Sequence, residues 1–259
     1  MFSKRKVAAL AAEFLGTGVL AFVVLTVSRS QIGIPYFVAS AAGLAVAIFG
    51  IALQRDVHLN PALTVGLWTA RRVKTVKALA FIVAQLLGGL AAYSLFKYFS
   101  HGTVQALPTA YDGRILVAEA TGAFIFTFIA AGVGYRQLHW LVRAGAAGAG
   151  LTLGIWIASA ASAGFINPAV ALANNAWAWG TYVLGPVLGA IIGVNLYGLL
   201  FTPQEVKVTK TATVSAKPAP VIAEVDDDEE EAEAEKPAKK SVSASAHTVK
   251  KSSKKKSKK

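Results

Sequence analysis

The sequence predicts an all-α membrane protein with six transmembrane helices and two re-entrant half-helices arranged as an inverted repeat. Three observations carry this. The 259-residue chain is 54% hydrophobic, with a mean hydropathy of +0.51, which is too apolar for an ordinary soluble domain. Six apolar runs have, or nearly have, the length of a bilayer span. Asn-Pro-Ala occurs twice, at Asn60-Pro61-Ala62 and Asn167-Pro168-Ala169, each time interrupting a mostly apolar stretch.

The six runs lie at about 7–27, 36–53, 76–96, 115–134, 143–162 and 181–201. The first follows Lys4-Arg5-Lys6 and has the outline of a signal peptide, but it carries an element repeated later in the chain and is therefore read as a span. Asn is a good helix N-cap and Pro suits the first helical position, so each Asn-Pro-Ala starts a helix. The run after Pro61, to about Ala70, and the run after Pro168, to about Ala178, are too short to span. They read as half-helices that enter the membrane and return, which is tolerated only inside protein or along a wet cavity. Pro186 should kink the last span or sit near its start. Gly185, Gly189 and Gly193 fall four apart, as do Gly150 and Gly154; such spacing suits close helix packing inside the bundle, with a lipid-facing dimer motif as the other reading.

The chain repeats itself. Ala12-Glu13-Phe14-Leu15-Gly16 matches Ala118-Glu119-Ala120-Thr121-Gly122, and Asn60 follows Glu13 by 47 positions as Asn167 follows Glu119 by 48. Three spans per half, about 7–96 and 115–201, place the halves in opposite orientations, an architecture that sets the functional site near the midplane where broken helices meet. With the N-terminus cytoplasmic, the inner segments hold Lys4–Lys6, Arg55, Arg71, Arg72, Lys74, Lys77, Arg136 and Arg143, and the outer ones Arg29, Lys97 and Arg114. The positive-inside rule thus puts both termini in the cytoplasm of a multi-pass protein, and the short loops suit a plasma-membrane protein.

The net charge of +12 is not a nucleic-acid signal, because outside the C-terminal tail the cations sit between apolar runs. Residues 1–203 form the membrane domain. From about 204 to 259 the chain becomes a low-complexity, charge-segregated tail with an acidic block, Asp226–Glu231, and a lysine-rich end; it is expected to be a disordered cytoplasmic segment. With no cysteine, disulfides and thiol catalysis are excluded. No nucleophile–base constellation or phosphate-binding loop is present in the spans, so an enzyme is not expected, and no cofactor or metal is implied.

The half-helices and their surroundings resemble the major intrinsic protein family, the aquaporins and aquaglyceroporins. The matching stretches are Ala12–Thr17, His58-Leu59-Asn60-Pro61-Ala62-Leu63-Thr64, Val83–Gly88 and Gly185-Pro186-Val187-Leu188-Gly189, within about residues 7–201. The resemblance implies an aquaporin-like fold, a homotetramer with one pore per subunit, and passage of water and small neutral solutes. Asn60 and Asn167 would meet near the bilayer centre, each capping its half-helix and offering an amide N–H to a passing oxygen. The facing positive helix ends disfavour cations there. Glu13 and Glu119, carboxylates inside apolar runs, would hold N–H groups of the re-entrant loops. Two readings stay open for His58, a contact at the inner pore mouth or a local hydrogen bond.

The chain departs from the family at the selectivity filter. Where an Arg usually follows the second Asn-Pro-Ala, this chain has Val170, and the other filter positions fall on Ser40, Ile155 and Gly164. That set lacks a fixed cation and its donor fork. A dry collar would slow water; a wider one would pass polyols such as glycerol. Arg55-Asp56-Val57 also stand where the family commonly has small residues. The function expected is a passive channel for water or small uncharged solutes. The alternative is a secondary transporter coupled through Glu13 or Glu119.

Overall fold

The computed structural model describes residues 3–30, 34–53, 57–102, 104–136 and 138–202. The C-terminal tail from 204 and the pair Arg55-Asp56 lie outside the described residues. Within the described residues the regular elements are helices: α1 (Lys4–Ser28), α2 (Pro35–Leu53), α3 (Pro61–Thr69), α4 (Thr75–Ser100), α5 (Gly113–Tyr135), α6 (Trp140–Ala158), α7 (Pro168–Ala173), α8 (Trp179–Tyr182) and α9 (Leu184–Phe201). Six segments are long and apolar enough to cross a bilayer, the last being α8 and α9 together.

Local chemistry sets the helix ends. Ser3 Oγ accepts from Lys6 N–H (3.4 Å) and opens α1 three residues before the apolar run begins. Asp112 accepts from Arg114 N–H (2.8 Å) and Ile115 N–H (3.3 Å) to open α5. Pro35 starts α2, and a left-handed His101 ends α4. Val183 (φ −112°, ψ −54°) separates α8 from α9, and Pro186 sits near the start of α9, where a missing N–H matters least.

The long helices pair as α1 with α4, α5 with α9, and α2 with α6 across the middle. The half-helices cross over: α3 packs mainly on α9, and α7 mainly on α4, so each rests on the third span of the other half. The glycine row of α9 faces α5. A Cβ on Gly185 would stand 2.8 Å from the Leu116 carbonyl oxygen, and one on Gly193 2.6 Å from that of Phe124. Gly154 faces Gly122 in the same way. These small residues bring helices of the bundle close together, which is the intramolecular reading of their spacing. The outward faces are apolar: Leu44, Val76, Val83, Leu87 and Leu199 are all exposed large hydrophobics, the pattern of a surface solvated by lipid.

Candidate functional site

The two Asn-Pro-Ala segments adopt nearly the same geometry. Asn60 (φ −154°, ψ 115°) caps α3, its side-chain oxygen accepting from the N–H groups of Ala62 (2.8 Å) and Leu63 (3.4 Å). Asn167 (φ −148°, ψ 109°) caps α7, accepting from Ala169 (3.0 Å) and Val170 (3.4 Å). Pro61 and Pro168 open the helices, and Ala62 and Ala169 are buried behind them. The amide nitrogens then reach across: Asn60 Nδ2 donates to the Ile166 carbonyl (2.9 Å), and Asn167 Nδ2 donates to the Leu59 carbonyl (2.8 Å). Each amide has two N–H bonds, so this reciprocal pair leaves one donor on each for a passing oxygen.

Both accepting carbonyls belong to residues with left-handed backbones, Leu59 (φ 51°) and Ile166 (φ 44°). That conformation is unfavourable for side-chain-bearing residues, and most of all for β-branched Ile; it persists only where the surroundings impose it. The buried carboxylates impose it here. Glu13 accepts from His58 N–H (2.8 Å) and Leu59 N–H (2.8 Å). Glu119 accepts from Phe165 N–H (3.0 Å) and Ile166 N–H (2.5 Å). Successive N–H groups converging on one anion form a nest. Each nest turns its loop so that the carbonyl of the strained residue faces the opposite half. The third partners differ: Gln85 Nε2 donates to Glu13 (2.7 Å), whereas the Ser162 hydroxyl donates to Glu119 and accepts from Gly164 N–H (2.7 Å). With their oxygens engaged this way and 1% and 0% of the residue exposed, Glu13 and Glu119 act as loop braces, and no observation favours a coupling role. The His58 ring is tied locally, with Nδ1 3.0 Å from Thr64 Oγ1 and its edge against Phe81.

Beside Asn167 a small cavity of about 10 Å³ lies between α1, α2, α6 and the loop entering α7. It is room for roughly one water molecule. Ile155, Gly164 and Val170 all line this cavity. Ser40 is not among the residues that line this cavity. Ser40 is exposed, its hydroxyl donating to the Tyr36 carbonyl (2.7 Å), while Val38 and Ala42 line the cavity. Positions two apart on a helix lie about 200° around its axis, so a two-residue error in counting across the preceding loop turns the side chain outward. Leu20 and Val24 of α1, Leu151 of α6 and Phe165 before α7 add to the apolar wall. Sequence reasoning missed them. The available signal was spacing: Leu20 with Val24, and Leu151 with Ile155, are i, i+4 pairs on single helix faces.

Six membrane-length helices and two capped half-helices meeting through their asparagines are the architecture of a transmembrane channel. Residues 1–113 match the family model described as Major intrinsic protein. The chain is 30% identical over 228 residues to Aquaporin Z of Photorhabdus laumondii subsp. laumondii, covering 76% of this chain and 98% of that protein. It is 32% identical over 222 residues to Aquaporin NIP1-1 of Zea mays, covering 78% of each. In fold it is similar to the X-ray structure of the aquaglyceroporin from Plasmodium falciparum, with a TM-score of 0.63, 21% identity, and coverage of 75% of this chain and 96% of that one. The chain belongs to the major intrinsic protein family, whose members are channels and not enzymes. It is a multi-pass membrane channel for water and small solutes.

Proposed function

We propose that this channel passes water-sized neutral molecules readily and polyols poorly. The apolar collar carries the reading. Val170, Ile155, Leu20, Val24 and Leu151 surround a space for about one water, with Asn167 the polar side chain at its edge. A glycerol molecule entering this collar leaves three hydroxyls without partners, at a cost of about 1–3 kcal/mol for each unpaired group. A water or ammonia molecule keeps its contacts with neighbours above and below in single file. Cations are opposed at the midplane by the two half-helix N-termini, in place of a filter arginine. The free N–H groups of Asn60 and Asn167 serve as the polar step at that point, with Glu13 and Glu119 holding the loops that aim them.

The proposed setting is a homotetramer in the plasma membrane with both termini cytoplasmic, residues 1–203 forming the channel domain and 204–259 a charged tail. Family resemblance supports the assembly, and the bias of Arg71, Arg72, Lys74, Lys77 and Arg136 toward one end supports the orientation. The test is osmotic shrinkage of proteoliposomes in a series of solutes. Water and ammonia permeability should exceed that of protein-free vesicles, with urea lower and glycerol near background. Glycerol flux above that of ammonia would overturn the reading.

A further inference from the structure

We propose that the groove between the start of the α3–α4 connection, the end of α5 and the outer face of α9 binds one anionic phospholipid, phosphate at Arg72 and an acyl chain along α9. The groove is open, about 700 Å³, and separate from the pore. Its wall includes Ile192, Leu196 and Leu199, and Leu199 is 69% exposed, on a face that lipid tails must cover. Its polar end holds Arg72, Tyr135 and Asn195. The Arg72 guanidinium carbon stacks 3.8 Å above the Tyr135 ring. Stacking engages the flat face of the group and leaves its N–H edges directed outward, a fork suited to phosphate oxygens.

Charge supports a phosphate at this end of the bundle. Arg71, Lys74, Lys77 and Arg136 flank Arg72 in sequence or at the adjoining helix end. The carboxylates of the described residues are engaged elsewhere: Glu13 and Glu119 in the loop nests, and Asp112 at the opposite end of α5. Cations at a membrane surface attract anionic headgroups, and an arginine fixed at the mouth of an apolar groove turns that diffuse attraction into a seat for one molecule. The neighbouring Asn195 is held in place by donating to Thr69 Oγ1 and the Ile191 carbonyl, both at 2.8 Å, so its side-chain oxygen marks the polar boundary of the groove.

The test is native mass spectrometry of the full-length protein incubated with phosphatidylglycerol or phosphatidylcholine. The expected result is preferential retention of phosphatidylglycerol, reduced about fivefold in Arg72→Gln, the scale of one cation–headgroup attraction. Arg71→Gln, a cation outside the groove lining that adds only diffuse attraction, should lower retention clearly less than Arg72→Gln does. Leu199→Ser, at an exposed wall position, should weaken retention without disturbing the fold, and it carries the test if Arg72→Gln misfolds. Equal retention of both lipids, equal losses in Arg71→Gln and Arg72→Gln, or displacement of the lipid by millimolar inorganic phosphate would each overturn the proposal. None of these outcomes bears on the pore, because solute permeability is measured separately.

Discussion

In Glu119→Gln the melting temperature of the purified protein is expected to fall by roughly 5–10 °C, with passive permeability lost alongside it. Glutamine matches glutamate in shape but replaces one acceptor with a donor. Whichever way the amide turns, an N–H of Phe165 or Ile166 loses its partner and faces another N–H. A buried unsatisfied donor costs about 1–3 kcal/mol. The same bonds hold Ile166 at φ 44°, so weakening them lets the loop shift away from Asn60, and any strain relieved offsets only part of the lost bonding. Thermal unfolding in detergent measures the first effect and vesicle shrinkage the second. The coupled-transporter alternative expects something different: a stable protein with intact downhill flux and no uphill accumulation. That outcome would remove the bracing role assigned to Glu119.

Ile155→Ala should raise glycerol permeability about tenfold, equivalent to a barrier lower by about 1.4 kcal/mol. Ile155 is 3% exposed and lines the small cavity beside Val170 and Leu151, so removing its branched end enlarges that space, the proposed constriction. The substitution also destabilises, by up to the 2–5 kcal/mol typical of buried Ile→Ala changes, less whatever water entering the space recovers. Comparing glycerol and water fluxes in one preparation separates widening from loss of folded protein, because misfolding lowers both. Val170→Arg should do the opposite. The cavity has room for about one water molecule, and a long guanidinium placed there is expected to fill it and close the proposed path. An arginine variant that conducts water faster than wild type would show that the collar is roomier than its lining allows.

Much of this architecture was legible in the residues. The six spans, the two helix starts and the inverted repeat follow from apolar run length, Asn-Pro capping and the spacing of Glu13 and Glu119 from their asparagines. The end of the second half-helix was not. The apolar composition through Ala178 suggests a longer helix, yet α7 stops at Ala173. Asn174 donates its side-chain amide to the Val170 carbonyl (2.9 Å), and Asn175 turns left-handed (φ 59°), so two polar residues terminate what composition would continue. Ser40 lies off the cavity that Val38 and Ala42 line, and counting across a loop carries no information about rotation around a helix. The bonds from Asn60 to Ile166 and from Asn167 to Leu59 join residues more than a hundred positions apart, and no local pattern announces them.

Those crossed bonds bear on how the chain is made. Residues 1–102 contain Asn60 with its donor and Leu59 with its strained carbonyl, but the groups that satisfy them lie in a segment translated later. A newly inserted first half therefore holds unpaired polar backbone at membrane depth, where each such group costs several kcal/mol. It stays incomplete until Ile166 and Asn167 arrive. The symmetry that makes the finished pore also means that neither half satisfies its own midplane groups: each supplies the carbonyl acceptor for the other's asparagine.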